Sequence, residues 1–309
     1  MSAVQARTIV QLGLYTLMFS VWGSSFFFTA LALRGFNVMS LAALRMALAA
    51  IVLGGVVLLY RLPFPRDPKI WMHAFILGLF NIGVPYLLLI WAQLHVRSSA
   101  ASVLSATTPL FVFVFSWLIV RTESFGLLRA LGLVLAFAGI VILNGLDQGP
   151  AADEGIWPMM IVLSSIFFAA GNVYTRRFLS SVHPFMVAFL QIGIGALCLL
   201  LAAQAAGQLT IGNPDPIALL ALAELAIAGS ALTYVLFFYF IRQWGSTATS
   251  LNTYFQPVVG LSLGIFALHE PIAPMGWLAL LTILCGVALF GIGTVRGKSL
   301  RIKPAPVAP

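Results

Sequence analysis

Apolar residues in this chain come in long, nearly unbroken runs separated by short polar connections. Ten runs read as membrane-crossing helices: about 9–31, 39–60, 70–94, 99–120, 126–145, 155–177, 185–206, 216–241, 247–268 and 274–294. A hydrocarbon core about 30 Å thick is crossed by about 20 helical residues, which is the length of these runs. Turn-forming residues mark several connections, as in Pro63-Phe64-Pro65, Asp147-Gln148-Gly149-Pro150 and Asn213-Pro214-Asp215-Pro216. The runs occupy about two thirds of the 309 residues and leave no room for a soluble domain. The first run is longer than the apolar stretch of a signal peptide and lacks a convincing cleavage site, so it is read as a retained span.

Composition agrees with that pattern. The chain is 61% apolar and 8% charged, against about 45–50% and about 25% in soluble domains. A net charge of +8 would point to nucleic acid in a soluble protein, but here the charges sit between apolar runs and report topology. With the N-terminus on the cytoplasmic side, thirteen of the sixteen Lys and Arg residues fall in cytoplasmic segments. Arg34 and Arg97 fall on the other side and Arg45 lies inside a span. Without the four basic residues of the C-terminal tail the bias is still nine to two. Both termini are therefore expected to be cytoplasmic, which requires an even number of spans. Cys198 and Cys285 lie within apolar runs and read as packing residues; no metal-ligand spacing is present, and neither a metal nor a cofactor is expected.

The two halves resemble each other. At an offset of 148, the segment from Arg97-Ser98-Ser99 through Pro109 falls on Gly245-Ser246-Thr247 through Pro257, and Tyr86 falls on Tyr234. An offset of 147 brings Glu123 onto Glu270 and Gly139 onto Gly286. The expected division is a first five-helix repeat over residues 1–148 and a second over 149–309 with a basic tail, together one transport domain. Five spans is an odd number, and both halves keep their basic loops on one side, so the repeats enter the membrane in opposite senses. Inverted repeats are a signature of secondary transporters, with the substrate site near the midplane between the halves.

The ordered set of Trp22-Gly23-Ser24-Ser25, the Arg45 segment, Ser99-Ala100-Ala101 to Pro109, Glu123 with Gly132 and Gly139, and Glu270-Pro271 with Gly276 and Gly286 resembles the EamA-type members of the drug/metabolite transporter superfamily. The resemblance runs from about residue 9 to 294. Within the superfamily the chain is most similar to the YddG group, exporters of amino acids, aromatic ones among them, and of the dication methyl viologen. The resemblance implies an all-α membrane protein of ten helices that exports small metabolites across a bacterial cytoplasmic membrane. Relatives that carry sugar phosphates or nucleotide sugars need several cations in the cavity, and this chain offers one deep cation, Arg45.

Polar side chains inside spans cost free energy unless they pair or face a wet cavity. By that criterion the candidate substrate-binding residues are Trp22, Ser25, Asn81, Tyr86, Ser102, Asn172, Tyr234, Asn252 and Gln256. Tyr86 and Tyr234 hold matching places in the two repeats; an aromatic there either stacks on a flat or cationic substrate or packs between helices. The serines and threonines of the fourth and ninth runs read more readily as close-packing residues. Asn252 and Gln256 share a helix face, and their amides need partners. Pro109 and Pro257 each remove a backbone hydrogen bond and are candidate hinges whose freed carbonyls could meet a substrate ammonium. Arg45 either holds a substrate carboxylate or braces helices, its stem being long enough to reach the outer interface. Glu224 is the one carboxylate inside a run and reads as snorkelling, whereas Glu123 and Glu270 read as helix N-terminal charges.

The expected function is secondary export of small metabolites by alternating access: neutral and aromatic amino acids first, cationic drugs second. Expected partners are the substrate and membrane lipid, not nucleic acid, with a monomer or weak homodimer as the assembly. No P-loop is present for direct ATP drive, and an intramembrane enzyme finds no motif, since His269-Glu270-Pro271 lacks a second zinc-binding histidine. The alternatives are an exporter of another drug or metabolite class in the same superfamily and, in a different class, a passive channel or membrane scaffold, which saturable counterflow separates from a carrier.

Overall fold

The computed structural model describes residues 3–120, 126–146, 156–210, 212–269 and 274–299, and every regular element among them is helical. We number the long helices α1 (Ala3–Ala32), α2 (Val38–Leu59), α3 (Pro68–Ala92), α4 (Ser98–Ile119), α5 (Leu127–Leu146), α6 (Ile156–Phe178), α7 (Pro184–Ala205), α8 (Pro216–Trp244), α9 (Ala248–Leu268) and α10 (Pro274–Ser299). Each coincides with one expected span, within a few residues at either end except at the N-terminus, where the first helix starts six residues earlier. Nine carry a described stretch long and apolar enough to cross a membrane; the described apolar part of α5, Leu127–Gly139, is shorter. The chain is an all-α integral membrane protein of ten transmembrane helices, arranged as two five-helix repeats. Glu123, Glu270, Pro271, the 148/149 repeat boundary and the basic tail beyond residue 299 lie outside the described residues.

Local sequence accounts for where helices begin. Asn37, Asp67 and Asp215 stand just before α2, α3 and α8, and each side chain accepts a hydrogen bond from a first-turn N–H: Ser40 at 2.8 Å, Lys69 at 2.9 Å and Ala218 at 2.7 Å. Pro68, Pro184 and Pro216 open their helices, where a missing N–H costs nothing. Large apolar side chains such as Ile51, Leu59, Leu220 and Phe266 point outward. Many buried positions are instead polar or small, the distribution expected when lipid is the solvent.

Close approach supplies much of the packing. The longest helix pairing joins α5 and α10, where a Cβ on Gly132 would lie 2.5 Å from the Gly286 carbonyl oxygen and one on Gly286 would overlap the backbone of Ala136. These are two of the glycines that carry the sequence resemblance, and their place is a backbone-to-backbone contact that only small residues permit.

Four spans depart from α-helix. α3 contains a π-helical segment at Gly78–Gly83 and α8 one at Ile227–Leu232, 149 residues apart at both ends. α4 is interrupted by a turn at 106–107 and ends in a π-helical stretch, Ser116–Val120; α9 passes through a 3-10 turn, Leu251–Tyr254. The interruptions of α4 and α9 fall just before Pro109 and Pro257. Matching irregularities in matching spans are a second, structural mark of the repeat.

Candidate functional site

A small cavity lies between the repeats, lined from seven of the ten helices; no described residue of α5, α7 or α10 lines it. Of the candidates from sequence, Trp22, Ser25, Arg45, Tyr86, Asn172, Tyr234 and Gln256 line it. Phe26 and Thr29 from α1, Leu89 and Gln93 from the end of α3, Ser105 and Thr108 from α4, Phe168 from α6, Phe237 from α8 and Thr253 from α9 complete the wall. Phe168 and Phe237 escape a search for polar residues because they are apolar like their neighbours. Their spacing from Asn172 (i, i+4) and Tyr234 (i, i+3) is the signal that would have found them.

Asn81, Ser102 and Asn252 lie outside the lining. Asn81, in the π-helical segment of α3, donates to Gln191 Oε1 on α7 at 3.1 Å, and Gln191 donates on to Thr175 Oγ1 on α6 at 3.2 Å. Gly171 makes room for it, since a Cβ there would overlap the Asn81 amide. Ser102 returns its hydroxyl to the Ser99 carbonyl at 2.7 Å and packs on Gly260, joining α4 to α9. Asn252 donates to the Thr249 carbonyl at 2.8 Å and accepts from Gln256 Nε2 at 2.9 Å. Because its Nδ2 is committed to a carbonyl, Asn252 can offer only its oxygen, and Gln256 must donate. The Gln256 Oε1 is then the atom left for the cavity.

The carbonyl freed by Pro109 is not left open. Proline at 109 frees the carbonyl of Ser105, and Thr108 Oγ1 takes that carbonyl at 2.8 Å. The acceptor expected to be open to a substrate is therefore satisfied within the helix. Thr107 does the same for Leu104 at 2.8 Å, and Thr253 for Ser250 at 2.9 Å.

Arg45 does not snorkel. It is 2% exposed, and its Nε donates to Ser230 Oγ at 2.8 Å while Nη2 donates to the Gly229 carbonyl at 3.2 Å. Both partners belong to the π-helical segment of α8, in the other repeat. The guanidinium carbon stands 4.8 Å from the centre of the Tyr86 ring, and a chain of aromatic contacts continues from there. Tyr86 lies 6.4 Å from Tyr234, Tyr234 5.5 Å from Trp22, and Trp22 5.1 Å from Phe237, centroid to centroid. The hydroxyls of Tyr86 and Tyr234 are buried next to each other, with no well-formed hydrogen bond to any other described residue. Glu224 lies beside Ser24, outside the cavity lining, and its Oε2 is buried without a partner rather than carried to the interface.

At the end of the bundle where α8 gives way to α9, α1 and α6 are tied to α8 and α9. Tyr15 of α1 donates to the carbonyls of Ala248 and Thr249, both at 3.4 Å, and meets Phe240 edge to face and Trp244 at a tilt. Arg176 of α6 donates to the Ile241 carbonyl at 2.8 Å, tying the same end of α8. The Tyr15 contacts join the two repeats.

Comparison with known proteins agrees with this architecture. Residues 10–145 and 155–292 each match the EamA-like transporter family, one match per half. The chain is 29% identical over 280 residues to the inner membrane transporter YedA of Escherichia coli (strain K12), covering 89% of either chain. It is 27% identical over 289 residues to the protein PecM of Dickeya dadantii (strain 3937), covering 92% of this chain and 93% of PecM. A crystal structure that is 18% identical in sequence superposes with a TM-score of 0.72 over 94% of this chain and 99% of that one, a likeness of fold.

Proposed function

Since the chain belongs to the EamA-like transporter family, we propose that this membrane transporter is an exporter of neutral amino acids, aromatic ones included, working by alternating access across the bacterial cytoplasmic membrane. The observation that carries the reading is the cavity between the repeats. It combines one cation, several hydroxyl and amide groups and an aromatic wall, a lining whose chemistry suits a small zwitterion with an apolar side chain. Both termini lie in the cytoplasm, as the nine-to-two bias of basic residues outside the tail requires. In that orientation the contacts of Tyr15 with Phe240 and Trp244 lie at the cytoplasmic end of the bundle. The repeats exchange conformations between cycles, and the interruptions before Pro109 and Pro257 are where α4 and α9 bend.

The test is counterflow: purified protein in liposomes loaded with unlabelled amino acid, with uptake of labelled phenylalanine, threonine or methionine followed in time. Saturable uptake stimulated by the internal amino acid is the expected result. Folded protein that exchanges none of them would move the search to other metabolites, and non-saturable flux would indicate a channel.

A further inference from the structure

We infer that Arg45, Tyr86 and Tyr234 form a receptor for a single carboxylate group, so that cargo must carry a carboxylate and a cation lacking one is excluded. The inference deepens the amino-acid reading and rests on it for the transport step.

Three observations converge on one place in the cavity. The guanidinium is almost completely buried, yet it forms no ion pair among the described residues. Glu224, the one carboxylate within the spans, is near enough to act on the guanidinium electrostatically but lies outside the lining and forms no ion pair with it. A buried cation with no ion-pair partner is costly, and an anion entering the cavity relieves that cost.

The donors lead to the same conclusion. A guanidinium carries five N–H groups. Nε and one N–H of Nη2 are committed to Ser230 and the Gly229 carbonyl. Both N–H groups of Nη1 and the second of Nη2 make no hydrogen bond among the described residues. The hydroxyls of Tyr86 and Tyr234 are buried side by side near Arg45, with no well-formed hydrogen bond to any other described residue, and both residues line the cavity. A carboxylate offers about four lone-pair positions and no proton of its own, so it suits a cluster of unused donors. A quaternary or primary cation at the same spot would meet the guanidinium charge and leave those N–H groups unmet.

The other end of the ligand also has a place. Gln256 presents its Oε1 because Asn252 has fixed the amide, and a carbonyl oxygen suits an ammonium. Asn252 is thus a positioning residue for Gln256.

The experiment uses the intact protein in detergent and in liposomes with five probes: phenylalanine, 3-phenylpropionate, phenethylamine, phenylalanine methyl ester and methyl viologen. Thermal stabilisation reports binding and competition in counterflow reports transport. Phenylalanine and 3-phenylpropionate are expected to bind, the other three to bind at least about tenfold more weakly. The double variant Tyr86→Phe/Tyr234→Phe keeps both rings, so it tests the hydroxyls without removing the packing; it should weaken both acids about tenfold or more. Equal binding of the amine, the ester or the viologen overturns the proposal even if amino acids exchange. Binding of the two acids without exchange of any amino acid keeps the receptor and overturns the amino-acid carrier. No stabilisation by either acid overturns the receptor.

Discussion

Arg45 on α2 and Gln191 on α7 hold equivalent places in the two repeats, 146 residues apart, and each reaches across to a π-helical segment in the opposite half. Arg45 bonds Ser230 and Gly229; Gln191 bonds Asn81, which corresponds to Ser230 at the π-segment offset of 149. The similarity stops there. The Gln191 amide is used at both ends, accepting from Asn81 and donating to Thr175, and the contact is sealed away from the cavity. Arg45 keeps three N–H groups in reserve and lines the cavity. A neutral amide suffices to join the repeats at one of two equivalent points, so joining them does not require a cation at the other. The surplus charge is what distinguishes a binding group from a brace.

Making the two contacts alike is the strongest way to break the comparison. Arg45→Gln keeps a donor for Ser230 but removes the charge, and should lower counterflow on the order of 100-fold, as expected for losing charge-assisted bonds worth about 1.5–3 kcal/mol each. Size-exclusion behaviour and reconstitution should stay as in the parent protein.

The opposite change sharpens the contrast. Gln191→Ala leaves Asn81 buried without its acceptor and should cost about 1–3 kcal/mol of stability, read as a lower unfolding temperature in detergent. The order of preference among carboxylates and amines should not change, because no atom of Gln191 faces the cavity.

Smaller effects are expected at the tyrosines and at Asn252. Tyr86→Phe or Tyr234→Phe should each weaken amino-acid binding by about fivefold, near 1 kcal/mol for one hydroxyl; replacement by Ala at either position should impair transport more, without preventing membrane insertion. Asn252→Ala frees the Gln256 amide to rotate. It should raise the KM for phenylalanine by about threefold, well under 1 kcal/mol, while leaving 3-phenylpropionate unaffected, since that acid has no ammonium for Gln256 to meet.

Much of this architecture can be read from hydrophobic periodicity and the placement of rare polar residues. A membrane forces every span to be an apolar helix, so run length alone marks ten spans; the same cost makes Arg45, Tyr86, Tyr234 and Gln256 conspicuous. Direction is what the sequence withholds. Asn81 and Asn172 are equally polar and equally deep, but the first turns toward Gln191 and the second lines the cavity. The π-helical segments are invisible to a 3.6-residue period, yet they bring Gly229 and Ser230 within reach of Arg45. The carbonyl freed by Pro109 shows a similar limit. A proline predicts an open acceptor, but the neighbouring Thr108 hydroxyl has already filled it.

The most direct measurement is counterflow of labelled phenylalanine, run side by side for the parent protein and Arg45→Gln at equal reconstituted amounts. The parent is expected to show saturable, trans-stimulated uptake and the variant uptake near the empty-liposome level. Equal exchange by both proteins would contradict this expectation, because the surplus charge of Arg45 would then have no part in carrying substrate.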